Sequence, residues 1–362
     1  MSVADRSLSI VLVGQTILGS RTPQRARAFA ELGHRVRVVP INPDGATYED
    51  RPSLVDRLRY RVRLPADPAE ANARLRREAD AGFDLAWIEA APMIRADTLR
   101  AVRARLPGAA LVWYSEDDMM NPVHRSRWLD RAMPRFDLWV TTKSFNARPE
   151  EVPALGARRV LFVDNSFDPH LHRPMTLTDE DRRAFGADVS FVGTFERPRA
   201  ASLLALAQAG IAVRVWGNGW QSLTGADPRL TVESRPVYDD DYARVISASR
   251  INLGFLRKGN RDLQTCRTVE IPACGGFLLH ERSVEAERLL APDRDAAFFA
   301  DDGELIAQCR RWLADEPARA ATAAAGRARV VADGHAHADR LRAILQCVAD
   351  PVGSCAISRR GL

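Results

Sequence analysis

Short apolar runs alternate with stretches of helical spacing along this chain, and the alternation restarts once. Ser9–Val13 is a β-rich run broken by Gly14. Thr22–Leu32 sets Ala26, Phe29, Ala30 and Leu32 at helical intervals, Gly33 follows where a helix-ending glycine belongs, and Arg35–Pro40 resumes the strand pattern. A strand, a helix and a strand in that order predict a parallel sheet, because the crossover helix returns the chain to the same edge. Strands are also predicted at Leu85–Glu89, Ala110–Tyr114, Leu138–Thr142 and Val160–Val163, with helical stretches at Pro68–Ala81 and Arg95–Arg105. The segment Asp164–Arg173 is polar and turn-rich, as a connection between domains is. Beyond it the pattern recurs. Strands are predicted at Val189–Val192, Ala212–Trp216, Ile251–Phe255 and Phe277–Leu279, and helices at Ala200–Gln208, Tyr242–Ser249, Asp302–Leu313, Pro317–Val331 and Ala336–Val348.

Two successive α/β domains follow from this, a first over residues 1–170 and a second over 171–362. Each is expected to be Rossmann-like and doubly wound, the two facing a cleft. The length agrees, since 362 residues exceed one ordinary core and suit two domains. Hydrophobic residues at 46% and charged residues at 27% exclude a disordered or collagen-like chain. No apolar run reaches the roughly 20 residues of a membrane-spanning helix, and the N-terminus lacks the layout of a secretory signal. Five cysteines without a C-x-x-C spacing argue against a disulfide framework or a cysteine zinc site, so a cytoplasmic location is expected. The net charge of +5 raises nucleic acid as a partner. However, of the 52 basic residues only Lys143 and Lys258 are lysine, and the arginines are scattered among 47 acids rather than clustered. No nucleic-acid partner is expected, and no amphipathic basic helix stands out for a membrane surface.

In open parallel sheets, ligands bind beyond the carboxyl ends of the strands. The most informative stretch there is Gly254–Glu281. It leaves a strand, crosses a basic loop with Arg257, Lys258 and Arg261, enters a short helix near Arg267 and stops at Gly275–Gly276. A basic loop feeding a helix N-terminus suits an anion, because unpaired N–H groups and guanidinium forks both favour phosphate. Glu270 inside that helix can accept two hydrogen bonds from a sugar diol, or can simply stabilise its own helix. In the first domain, Glu116, Asp117 and Asp118 follow a strand end with His124 nearby, a place for acceptor hydroxyls or a general base, though such acids also serve as loop and helix caps. Gly14, Gln15 and Thr16 in the first strand-to-helix loop are expected to border the same cleft. His170, His172, His335 and His337 read as loop and helix-surface residues, and Cys266 and Cys274 as buried small hydrophobes.

Glu270-Ile271-Pro272-Ala273-Cys274-Gly275-Gly276 resembles the E-x-x-A-x-G segment of GT-B glycosyltransferases. It is most similar to the CgeB-like (spore-maturation-protein-like) subgroup, with its R-T-x-E-I-P-A-C-G-G signature. The resemblance spans most of the second domain, including Ser190–Thr194 and Val215–Trp220, and thins in the first. It implies a GT-B fold whose C-terminal helix packs back on the first domain. It further implies transfer from a nucleotide-diphosphate sugar to an acceptor (glycan, protein or small metabolite), without a metal or other cofactor and with retention of configuration. Glu270 would hold the ribose, Gly217 and Asn218 would lie beside the base, and Arg197, Arg199, Arg257, Lys258, Arg267 and Thr268 would attend the diphosphate. The glutamate that related families place eight residues before Glu270 is Asp262 here, so its catalytic role rests on a carboxylate one methylene shorter. Two other readings stay open: a GT-B sugar-nucleotide epimerase, and a GT-B-shaped binding or scaffold protein without catalysis.

Overall fold

In the computed structural model, which describes residues 6–350, the chain divides into two compact units. The first holds the chain to Asp164 and again from His337, and the second spans Asn165–Ala336.

Unit 1 runs β1 (Ser9–Gly14), α1 (Arg21–Glu31), β2 (Arg35–Pro40), α2 (Leu54–Arg61), α3 (Ala71–Ala81), β3 (Leu85–Glu89), α4 (Ala96–Arg105), β4 (Ala110–Ser115), α5 (Arg127–Ala132), β5 (Leu138–Thr141) and β6 (Val160–Phe162). Its six strands are parallel in the order β2-β1-β3-β4-β5-β6. Every residue of β1 and β3 is buried, the continuous apolar run expected of a strand covered on both faces. One face packs Val11, Ile88, Leu75 and Trp113; the other packs Leu12, Phe29, Trp87 and Leu341.

Unit 2 runs α6 (Asp179–Phe185), β7 (Ala187–Val192), α7 (Arg197–Gln208), β8 (Val213–Trp216), β9 (Leu230–Val232), α8 (Asp239–Ala248), β10 (Ser249–Gly254), α9 (Cys266–Ala273), β11 (Leu278–Glu281), α10 (Val284–Leu289), β12 (Ala297–Phe299), α11 (Asp302–Ala314) and α12 (Glu316–Ala332). Its parallel order is β12-β11-β10-β7-β8-β9, which is two three-stranded halves joined at β7 and β10. Leu253, Val215 and Trp312 fill one face, and Val245, Ile271 and Phe298 the other.

The final helix, α13 (His337–Ala349), returns to unit 1, where Leu341, Ile344 and Leu345 pack against the sheet on the side of α1. The C-terminal helix therefore closes on the first unit, as the resemblance implies. The linear expectation set the division at residue 170; the first compact unit closes at Asp164 and includes α13. A hydrophobic stripe records that a helix has a core to join but not which one. The unforeseen elements α2, α5, α6, α10, β9 and β12 are all too short to carry a period. Cys266, Cys274 and Cys309 are free thiols, and Cys355 lies outside the described residues. Among the described residues, no helix is long and apolar enough to cross a membrane.

Candidate active site

In each unit the strand order reverses at one point, between β1 and β3 and between β7 and β10. The loops leaving those strands diverge there and open a crevice at the carboxyl ends. The predicted residues gather at these two places.

In unit 2, α9 is cut to length by its ends. The Thr268 hydroxyl accepts from the Thr265 N–H at the start, at 3.0 Å. At the finish Gly276 N–H donates to Ile271 O and Gly275 N–H to Pro272 O, with Gly275 left-handed at φ 76°. These are the paired bonds of a glycine-terminated helix, so Gly275–Gly276 is first a helix stop. The helix carries Glu270 fully buried. One carboxylate oxygen takes the Arg267 guanidinium, and the other lies 3.6 Å from His172 Nε2. His172 Nδ1 accepts from the Asp168 N–H at 3.0 Å, so the neutral ring carries its proton on Nε2, toward Glu270. Arg267 lies over the Tyr242 ring, 4.5 Å from its centroid, and donates to Val192 O at the end of β7. A carboxylate on a helix interior is thus oriented from β7, α8 and the chain that enters the unit.

Two further arginines join Arg267. Arg199 in the first turn of α7 is buried and donates to Thr194 O. Burial lowers its pKa; Glu196 and Asp262 oppose that change, while the nearby guanidiniums of Arg257 and Arg267 reinforce it. Like charges held that close suit a polyanion. Arg257 in the loop after β10 is aimed by Asp262, whose buried carboxylate takes the Arg257 Nε–H at 3.1 Å and the Asn260 amide at 2.6 Å. The other predicted donors differ. Lys258 is exposed and ion-paired to Glu281, Arg197 is exposed at the start of α7, and the Thr268 hydroxyl is buried between Thr265 and His280 Nε2, inside the fold.

Gly217 and Asn218 hold loops together. Phe195 N–H donates to Asn218 O at 2.9 Å, and Trp220 Nε1 to Gly193 O at 2.8 Å. Gly217 has φ 140°, and a Cβ there would stand 2.0 Å from Gly193 O. Gly217→Ala is therefore expected to cost about 2 kcal/mol and to displace the loop before α7. A urea-unfolding midpoint equal to wild type would refute this.

In unit 1 the switch point holds a cavity of about 260 Å³, lined among others by Gln15, Glu89, Trp113, Glu116, Asp117 and His124. Glu89, 4% exposed, accepts from Thr22 Oγ1 at 2.6 Å, Arg25 Nη1 at 2.8 Å and Trp87 Nε1 at 2.9 Å. Gly14 lies against this cluster, since a Cβ there would meet Thr22 Oγ1 at 2.2 Å. His124 Nδ1 is 3.8 Å from Asp117 Oδ2 at the cavity wall. Asp118 points elsewhere, buried and accepting from Asn146 and the Met120 N–H. Thr16 is outside the cavity lining and bonds Asn42 through its N–H at 2.8 Å.

Sequence reading missed Arg25, Glu89 and His172. Arg25 alone left a signal, the polar first turn Thr22, Gln24 and Arg25 on a helix that otherwise buries apolar residues. The histidine reading needs correction: His172, His335 and His337 are 7%, 2% and 1% exposed, interior groups rather than surface ones. Among the described residues, no three His, Cys, Asp or Glu side chains are grouped to hold a metal.

Two parallel Rossmann-like sheets of this order form the GT-B fold. Residues 197–346 match the family model described as glycosyl transferase-like. No curated protein sequence matches the chain. Among solved structures it is similar to an α-glucosyltransferase in complex with UDP and a 13-mer DNA containing a HMU base, at TM-score 0.68 and 14% identity over 95% of this chain and 100% of that one. It is also similar to Anabaena HepE in complex with UDP and glucose, at 0.61 and 15% over 93% and 99%. Sucrose-phosphate synthase from Thermosynechococcus elongatus is similar at 0.60 and 14% over 93% and 98%. At such identities the likeness speaks for the fold.

Proposed function

We propose that this chain transfers a sugar from a uridine-diphosphate sugar to an acceptor hydroxyl, with retention. The carrying observation is one buried carboxylate, Glu270, paired with Arg267, which with Arg199 and Arg257 forms a group of cations beyond the carboxyl ends of β7 and β10. In this reading Glu270 accepts from the ribose hydroxyls and the guanidiniums face the diphosphate. The anomeric carbon–oxygen bond breaks with its electron pair leaving on the diphosphate, and the acceptor oxygen forms the new bond. Charge therefore grows on the diphosphate, and cations already fixed in place stabilise it as it develops. UDP in the complexes of HepE and of the α-glucosyltransferase supports uridine as the base. We assign the acceptor side to the cavity of unit 1, with Asp117 and His124 to receive the acceptor proton. Asp262 and Asp118 then act as positioning residues, through Arg257 and Asn146.

Thermal unfolding with UDP, ADP and GDP, each with and without a chelator, tests the donor site. UDP at 100 times its Kd is expected to add about 2.7 kcal/mol of stability, unchanged by the chelator because arginines supply the charge. Equal shifts from all three nucleotides would remove uridine specificity, and no shift from any would remove the donor site.

A further inference from the structure

The helix α2 buries none of its residues. Leu54, Val55, Leu58 and Val62 are 79%, 60%, 62% and 43% exposed. At about 100° per residue, these four fall on one arc of roughly 100°. Arg57 and Arg61 follow on one border of that arc and Arg59 on the other, while Asp56 is turned to the far side. Arg51, Arg57, Arg59 and Arg61 are exposed and their side chains have no ion pair among the described residues. The sequence pattern did not single out this helix, because eight residues are too few to establish a period.

A water-facing aliphatic arc normally has a core to cover it. This one is held out from the fold by a firm start, with Ser53 Oγ accepting from the Asp56 N–H. Beside it opens a cavity of about 630 Å³ whose wall includes Pro52, Tyr60, Pro65, Pro92, Pro122 and Val123, with Arg57 and Arg61 among its arginines. Val123, 78% exposed, extends the apolar surface. Aliphatic side chains ringed by unpaired guanidiniums complement a layer that is hydrocarbon within and anionic at its surface. A nucleic acid would satisfy the arginines and leave the leucines in water, and it would want aromatic faces that the arc lacks.

We propose that α2 and the adjoining cavity dock unit 1 onto an anionic phospholipid surface, α2 lying in the interface. Leu54, Leu58 and Val62 enter the boundary between headgroups and acyl chains, and Arg57, Arg59 and Arg61 take the phosphates beside them. This docking is independent of the donor site and stands or falls separately.

The test is flotation of the full chain with vesicles of phosphatidylcholine alone, or of phosphatidylcholine with phosphatidylglycerol. Binding is expected to the second only, and to weaken with salt. Arg57→Gln/Arg59→Gln/Arg61→Gln should lower the partition coefficient roughly 100-fold. Leu54→Ser/Leu58→Ser should lower it at least about tenfold while the protein keeps its charge. All five side chains are exposed, so unfolding midpoints equal to wild type are expected and keep the comparison fair. Equal partitioning of wild type to both vesicle types, or variants that bind as wild type does, overturns the proposal. So does capture of a duplex DNA oligonucleotide in place of vesicles, or self-association that the leucine variants abolish.

Discussion

Glu270→Gln is expected to lower the affinity for UDP roughly 100-fold, and kcat/KM for a uridine-diphosphate sugar by a similar factor. A carboxylate hydrogen-bonded to two ribose hydroxyls contributes about 1.5–3 kcal/mol for each charged bond, and the neutral amide returns only part of it. One effect opposes the loss. Without the Glu270 charge, Arg267 has no countercharge on α9 and attracts the diphosphate more strongly. Arg267 is 30% exposed, so solvent screening limits that gain to about 1 kcal/mol or less. The loss wins. Because Gln matches Glu in size, the unliganded variant should keep its fold. A second ligand separates ribose recognition from a general change in the site. Against 2′,3′-dideoxy-UDP, the variant should bind as well as wild type or up to about fivefold more tightly, since the hydroxyls are gone and only the Arg267 gain remains. Isothermal titration of the four combinations gives the coupling directly. Undiminished UDP binding by Glu270→Gln, or an equal loss against the dideoxy ligand, would refute ribose recognition by this residue.

How much of this arrangement was legible in the sequence differs between the two units. The strands of both sheets were readable because most are short apolar runs, with β1, β7 and β8 leading straight into glycine. The segment around Glu270 was readable because a basic loop, a short helix and a double glycine follow one another within a few turns. What periodicity cannot carry is pairing at a distance. Asp262 was read with Glu270 as the catalytic carboxylate of a pair, and its contacts with Arg257 and Asn260, one on each oxygen, shape the loop after β10. Lys258 was grouped with the phosphate-binding cations, and its partner is Glu281, 23 residues on. His172 read as a loop residue because only the folded chain brings it to Glu270, 98 positions later. Arg25 left only the trace of a polar first turn, and Glu89 is unremarkable until β1, β3 and α1 are assembled. The residues with the most buried charge are those whose meaning depends most on tertiary contact.

Arg25→Met is expected to destabilise the protein by about 3 kcal/mol. Arg25 is 3% exposed and packs 4.1 Å from the centroid of Tyr114, between the carboxylates of Glu89 and Glu116. Burial opposes its charge, but those two carboxylates outweigh burial and hold its pKa above the ordinary arginine range. Methionine fills the space and abandons Glu89, which is equally buried. Stranding one member of a buried pair costs roughly 3–5 kcal/mol. The lower end applies because Thr22 and Trp87 still donate to Glu89, and because Glu116 is 25% exposed and can turn to water. Adding Glu89→Leu should recover at least about 1 kcal/mol of the loss, since the double variant strands no charge. Urea denaturation of the wild type, both single variants and the double closes this cycle. Additive losses in the cycle would mean that the pair is not coupled. The same variants bear on the acceptor cavity, whose wall contains Arg25, Glu89 and Glu116. If these groups orient the acceptor, Arg25→Met assayed where it remains folded should raise the acceptor KM and leave UDP binding in unit 2 unchanged. A loss of UDP affinity in proportion would instead trace the effect to the fold.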